Sequence, residues 1–318
     1  MFKDSFKYYK TKASVPDLSD VIDIYDLNKF DYKVQLFKKS RNIGANNECI
    51  GLIPFENWEI YELKEKPDLI YIKTPFTSFG QRYWTIQCLE NYTKKPNKLN
   101  LDPFNEIPSN ESWWEMCQKY KNFQLLKKLR WATLGYHHNW DTKVYTEDFR
   151  NEFPSDLGLL SKIVAKAIGY DYFEPQAAIV NFYHLDSTLS GHTDHSEINL
   201  EAPLISFSFG QSAIFLLGGK TLEEKPTPLL IHSGDIIIMT KEARLCYHGI
   251  PRILKTDNTP WNTNNFSEEK LANCGIFSDH AIFKSQNEEL WKPFGQYLNN
   301  SRINMNVRQV LPSGQSSL

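Results

Sequence analysis

Residues 181–197 read Asn181-Phe-Tyr-His-Leu-Asp-Ser-Thr-Leu-Ser-Gly-His-Thr-Asp-His-Ser-Glu197, and they place His192 and Asp194 two positions apart. Side chains of an extended segment alternate between faces, so this imidazole and this carboxylate point the same way. They make two corners of a facial metal site. The third corner is assigned to His248, within Cys246-Tyr-His-Gly-Ile-Pro-Arg252. Two histidines and one carboxylate on one side of a metal leave the opposite positions open, as in non-haem Fe(II) centres that take a co-substrate and O₂.

The surrounding sequence is written in short β-rich runs separated by turns. From residue 177 these are Ala177 to Tyr183, Leu204 to Phe209, Ala213 to Leu217, Leu229 to Ile231, Asp235 to Thr240, Arg244 to His248, Gly275 to Phe277 and Arg302 to Leu311. Short strands with glycine-containing turns predict a double-sheet barrel. No long helical pattern alternates with them, which argues against a parallel α/β sheet. Ser233-Gly-Asp235 reads as a hairpin turn. Lys255 to Asn273, rich in Asn, Thr and Lys, reads as an exposed insertion.

Upstream, helical spacing is visible in four places. Phe2, Phe6 and Tyr9 suggest a short amphipathic helix, and Val34, Phe37 and Lys38 another. Residues 111–131 carry Trp113, Met116, Cys117, Tyr120 and Phe123 as an apolar stripe, with lysines on the rest of the surface. Residues 155–168 read as a helix capped by Ser155, with Leu160, Ile163, Val164 and Ala167 on its apolar side and Gly169 at its end. Repeated prolines between 50 and 110 predict turns and short extended pieces, with a helix starting near Phe79 and a polar loop over 91–110. Lys94, Lys95 and Lys98 in that loop read as a solvated face. Residues 131–150 are dense in aromatics without a period, and fit equally a lid that stacks a nucleobase or a hairpin over the core.

Composition narrows the class. The net charge of -2 over 318 residues argues against a strongly basic nucleic-acid binder, though not against local basic faces. Five scattered cysteines, 49, 88, 117, 246 and 274, form no Cys-x-x-Cys pair and suit a reducing compartment. No apolar run approaches membrane-spanning length, and the first residues lack the apolar region of a secretory signal. His195 and His184 point away from the site by parity, His232 beside a Gly-Asp turn reads as structural, and Cys246 as a small buried hydrophobe.

A second signal stands at residues 301–310, Ser301-Arg-Ile-Asn-Met-Asn-Val-Arg-Gln-Val310. As a strand it puts Arg302, Asn304, Asn306 and Arg308 on one face and Ile303, Met305 and Val307 on the other. Two arginines facing into a barrel need partners. A small dicarboxylate would supply them, because guanidinium and carboxylate meet as a bidentate fork. Asn181 and Tyr183 form another same-face pair, suited to the same ligand.

Together these pieces resemble the AlkB family of Fe(II)- and 2-oxoglutarate-dependent dioxygenases, and within it the branch of the first eukaryotic homologue. The resemblance rests on Asn181-Phe-Tyr183, His192-Thr-Asp194, Tyr247-His-Gly249 and the Arg-x-Asn-x-x-x-Arg signature of Arg302 to Arg308, and covers about residues 125–311. It implies an α+β fold with a double-stranded β-helix (jelly-roll) core, N-terminal helices and a substrate lid. Residues 1–125 would form a mainly helical and loop extension packed on the core, and 126–318 the dioxygenase domain, with the insertion at 255–273. The resemblance further implies that His192, Asp194 and His248 are the catalytic iron ligands. Asn181, Tyr183, Arg302, Asn304 and Arg308 would hold 2-oxoglutarate, with Arg302 on its far carboxylate. Tyr136 falls in the lid and would meet substrate. The family's bacterial member has an acidic residue four positions after its first iron histidine; here that place is Ser196, with Glu197 next.

The implied activity is oxidative demethylation of N-methylated bases, using Fe(II), 2-oxoglutarate and O₂ and releasing formaldehyde and succinate. The target would be tRNA (1-methyladenosine) or DNA (N6-methyladenine or 3-methylcytosine), taken from a loop or flipped from a duplex. Two other readings accompany it: the same iron chemistry on a methylated, histone-type protein, and an inactive jelly-roll binding domain, against which the intact triad counts. A monomer without membrane contact is expected, in nucleus or mitochondrion, or in cytoplasm, and not secreted.

Overall fold

The computed structural model describes residues 1–12, 16–37, 51–108, 111–263 and 275–318. Its strands in chain order are β1 (Val34–Leu36), β2 (Glu59–Leu63), β3 (Lys66–Lys73), β4 (Lys98–Leu99), β5 (Trp131–Gly135), β6 (Ala177–His184), β7 (Leu189–His192), β8 (Leu204–Gly210), β9 (Ser212–Leu217), β10 (Thr227–Ile231), β11 (Ile236–Met239), β12 (His248–Leu254) and β13 (Ser301–Arg308). Among the described residues they form a nine-stranded sheet, β1-β2-β3-β11-β8-β13-β6-β5-β4, and a four-stranded sheet, β10-β9-β12-β7. The pairings are antiparallel, as the expected jelly-roll requires.

Alternation along the strands builds two cores. Ile303, Met305 and Val307 of β13, with Ile236 and Ile238 of β11, lie on the outer side of the large sheet, in a cluster shared with Trp84, Leu160 and Trp291 from the covering helices. Ile237 and Met239 take the opposite side and meet Phe215, Leu217 and Ile250 of the small sheet. The run Ile236–Met239 is apolar throughout because both of its faces are buried. The outer side of the small sheet is closed by α1 (Phe2–Lys10), the helix expected from Phe2, Phe6 and Tyr9. Phe2 fills a notch behind the metal-site strands. A Cβ on Gly191 or on Gly218 would come within 2.4 or 2.7 Å of its ring.

Several expectations are corrected. Val34–Leu36 is a strand rather than a helix, paired to β2, and Lys38 lies outside the described residues. Because β3 pairs with β11, the large sheet runs across the boundary drawn at residue 125. The N-terminal region is therefore not only helices packed on a core. After α2 (Leu27–Phe30) and α3 (Ser78–Ile86), the single helix expected over 111–131 is two, α4 (Trp113–Lys119) and α5 (Phe123–Lys128). Lys121 sits at φ 48°, a left-handed conformation no helix continues through. Tyr120 and Phe123 consequently leave the stripe and stand exposed. Helix α6 (Ser155–Ala167) ends before Gly169 at φ 94°, as expected, but Pro154 and not Ser155 occupies its N-cap.

The strand expected over Arg244 to His248 does not form there. The chain instead makes a helical turn, α7 (Lys241–Arg244), and β12 begins only at His248. Gly275 to Phe277 is not a strand, and the helices α8 (Asp279–Gln286) and α9 (Glu288–Leu298) that follow were not anticipated. Pro293 and Gly295 inside α9 mask its helical signal, while Asn287 caps it. Ser233-Gly-Asp235 joins the two sheets rather than closing a hairpin. Its Asp235 accepts from the Tyr25 hydroxyl (2.9 Å), the Thr74 amide (3.0 Å) and the His232 amide (2.7 Å). The insertion starts on a buried anchor, since Arg82 donates to the carbonyl of Trp261 at 2.6 Å; residues 264–273, Cys49, Cys274 and residues 109–110 lie outside the described residues.

Candidate active site

His192 is the last residue of β7 and His248 the first of β12, and the register sets them directly opposite one another. Their ring centroids are 4.4 Å apart. Asp194 follows two residues past the end of β7 and reaches back, its Oδ2 3.4 Å from His248 Nε2 and its Oδ1 4.0 Å from His192 Nε2. One donor atom from each of the three falls within 4.8 Å of the others, a group that could hold a metal ion.

The two imidazoles are set in the tautomer a metal needs. A carbonyl oxygen only accepts, so His192 Nδ1–H donates to the carbonyl of Ser190 (2.9 Å) and His248 Nδ1–H to that of Cys246 (3.2 Å). Each Nε2 is left with its lone pair, turned to the common point. Burial, with His248 adding to it, lowers the His192 pKa to about 4, so the ring is neutral near pH 7. Burial acts to raise the Asp194 carboxyl, but Arg308 and His248 outweigh it and hold it well below the usual carboxylate range. Two imidazole nitrogens and one carboxylate on one face fit Fe(II).

A cavity runs from this point between the sheets, and Tyr183, Arg302, Asn304 and Asn306 line it together with His192 and His248. Arg302 is 1% exposed, yet its hydrogen-bond partners are neutral: the Ser208 hydroxyl at 2.7 Å and the Gln211 carbonyl at 3.2 Å. Its Nε has no hydrogen-bond partner among the described residues. Burial pulls its pKa down to about 10. A buried cation held this way is an open seat for a carboxylate. Asn304 donates to Ser206 (2.7 Å) and to the carbonyl of Phe207 (3.0 Å), and burial keeps the Tyr183 hydroxyl protonated, with a pKa near 12.

Other expected site residues are placed differently. Asn181 pairs with Trp131 and Asn304 in the sheet but does not line the cavity. Arg308 does not line the cavity with Arg302. It donates to Asp194 Oδ1 at 2.8 Å, and its Nε lies 3.4 Å from Glu197 Oε1. Tyr136 is not presented to a substrate either. It is 1% exposed, packed with Tyr145, Val310 and Leu311, and its hydroxyl is engaged by Glu147 and by Arg150 at 2.9 Å.

The aromatic segment reaches the stretch after the metal ligands through His138. His138 bonds Ser196 at 2.9 Å and packs edge-on against Trp140 (4.7 Å) and Tyr145 (5.5 Å). Trp140 is 41% exposed, with Trp131 and Lys143 beside it. Glu197, next to the departure at Ser196, is buried and accepts from Tyr145 at 2.9 Å and from Arg244 at 2.5 Å. Arg244 had no sequence signal, because it sits on a helical turn read as strand. The adjacent His137 and His138 diverge, His137 to Thr133 and Asn151 and His138 to Ser196.

The profile of the 2OG-Fe(II) oxygenase superfamily matches residues 70–308. Human nucleic acid dioxygenase ALKBH1 is 38% identical over 99% of this chain and 85% of its own length. The tRNA demethylase abh1 of Schizosaccharomyces pombe is 30% identical over 98% of this chain and 96% of its own. The Escherichia coli dioxygenase AlkB is 39% identical over 30% of this chain and 45% of its own. No helix among the described residues is long and apolar enough to cross a membrane. With its triad, its cavity and these matches along nearly the whole sequence, the chain belongs to the AlkB family of the 2OG-Fe(II) oxygenase superfamily, a dioxygenase that works with Fe(II), 2-oxoglutarate and O₂.

Proposed function

We propose that this dioxygenase removes methyl groups from ring or exocyclic nitrogens of bases in nucleic acid, releasing formaldehyde. The observation that carries the reading is the triad at one end of a cavity whose other charged group is Arg302. Full-length similarity to a nucleic acid dioxygenase and a tRNA demethylase supports the substrate class.

In this reading His192, Asp194 and His248 hold Fe(II) from one side. The bound iron, with 2-oxoglutarate and O₂, supplies the oxidation of a C–H bond, and 2-oxoglutarate leaves as succinate and CO₂. Arg302 takes the far carboxylate of 2-oxoglutarate, the Tyr183 hydroxyl stands in the same cavity as a neutral donor, and Asn304, its amide hydrogens on Ser206 and Phe207, forms the wall beside it. The apolar walls, among them Phe215, Ile231 and Ile237, keep water from the reacting centre. Trp140 and His138 offer faces on which an unpaired base can stack, and Lys143 a contact for backbone phosphate.

The test incubates iron-loaded protein with 2-oxoglutarate and either methylated tRNA or DNA oligonucleotides or methylated peptides. Formaldehyde and the unmethylated base, lost in His192→Ala, are expected with nucleic acid. Product from peptides alone would overturn the reading.

A further inference from the structure

We propose that Arg244, acting with Glu197, is a positioning residue that fixes Asp194 as a one-oxygen metal ligand. The inference rests on the reading of His192, Asp194 and His248 as the metal site. Asp194 lies past the end of β7, in a segment without regular secondary structure, so no sheet ladder holds its backbone. Arg244, 1% exposed, replaces that ladder: its Nη1 donates to the main-chain carbonyl of Asp194. Its Nη2 donates to Glu197 Oε2 at 2.5 Å. The other oxygen of Glu197 lies 3.4 Å from Nε of Arg308, whose Nη2 holds Asp194 Oδ1 at 2.8 Å.

The network closes on itself. One guanidinium grips the backbone of Asp194, a second grips its side chain, and one buried carboxylate stands between the two cations. With Oδ1 taken by Arg308, Oδ2 is the oxygen left toward His248, 3.4 Å away. Glu197 matters because Arg308 would otherwise be a buried cation with Asp194 as its sole counter-charge, and would compete with the metal for both oxygens. Arg244 also ties the segment after β7 to the segment before β12, the two places from which ligands come. A lysine at 244 has one point charge and cannot span the Asp194 carbonyl and Glu197 together.

The experiment titrates Co(II) into full-length protein, without 2-oxoglutarate, and follows the visible absorption of the bound ion. Arg244→Lys and Glu197→Gln are compared with Arg82→Lys, which alters another fully buried arginine, on α3 and bonded to Trp261 and Glu288. Partners that orient metal ligands typically contribute about 10–100-fold in affinity. Arg244→Lys and Glu197→Gln are expected to weaken Co(II) by that factor and to shift the absorption bands, while the KM for 2-oxoglutarate at saturating Fe(II) moves less than about twofold. Arg82→Lys is expected to lower the melting temperature and leave Co(II) affinity and spectrum alone. Unchanged affinity and bands in both network variants, or an equal loss in Arg82→Lys, would overturn the proposal. If Arg244→Lys does not fold, Glu197→Gln decides by the same criteria. Failure of Co(II) to bind the unaltered protein would overturn the metal reading itself, and the proposal with it.

Discussion

Arg302 and Arg308 stand on the same face of the same strand, both buried, and their surroundings are opposite. Arg302 has only a hydroxyl and a carbonyl for company, with no carboxylate in reach among the described residues. Arg308 is held between two carboxylates, Asp194 and Glu197. One end of β13 is electrostatically unfinished and the other is closed. A ligand that brings its own carboxylate has somewhere to go only at the Arg302 end, while at the Arg308 end charge is already spent on aiming a metal ligand. Identical side chains thus do different work because their neighbours differ.

The largest effect is expected at the point both arginines serve. His192→Ala removes a ligand donor outright and should cost more than the roughly hundredfold seen for partners of ligands. Turnover should disappear, along with the rise in melting temperature that Mn(II) gives the unaltered protein. At Arg302, methionine conserves volume and deletes the seat. The KM for 2-oxoglutarate should rise by about two orders of magnitude, the scale of a lost buried charge pair. Without ligand, Arg302→Met should melt no lower than the unaltered protein, because it removes an uncompensated buried cation.

Arg308→Met should behave in the reverse way. It strands Asp194 as a buried anion and leaves Glu197 with Arg244 alone, and should destabilise the ligand-free protein by about 3–5 kcal/mol in urea unfolding. Equal stability losses at 302 and 308 would erase the distinction between the two ends. His137 provides a smaller test of the same idea. It is buried among the neutral groups Thr133 and Asn151, but unlike arginine it can give up its proton. Burial, with Lys98 acting in the same direction, lowers its pKa to about 4, against 6.5 in an open chain. Between those values the unfolded chain binds a proton that the folded one refuses, so stability falls as pH drops from 6.5 toward 4. The total is on the order of 3 kcal/mol. His137→Asn should flatten that part of the stability profile, measured by urea unfolding at a series of pH values.

How far the sequence could be read depended on whether a signal was local. Alternation along residues 301–308 and the two-residue step from His192 to Asp194 are properties of a single strand, and both were readable. His248 was readable as a ligand, but not its position opposite His192, which a bulged pairing between distant strands decides. The shared fate of Arg302 and Arg308 was misjudged because spacing reports a face and not the groups across from it. Arg244 and Glu197 were not assigned a role, since their partnership joins a helical turn to an irregular segment 47 residues earlier in the chain. Tyr136 was placed near substrate by the position of the family's lid, whereas it is buried with Val310 and Leu311. Helix α9 was hidden by Pro293, strand β3 by Pro67 near its start, and β1 by its length of three residues.

The most direct test is a crystal structure of the protein grown without oxygen, with Mn(II) and 2-oxoglutarate. The account predicts one metal ion held by Nε2 of His192, one oxygen of Asp194 and Nε2 of His248, the far carboxylate of 2-oxoglutarate on Arg302, and Arg308 still on Asp194 and Glu197. A metal bound elsewhere, or a 2-oxoglutarate carboxylate seated on Arg308 with Arg302 left as it is, would contradict it.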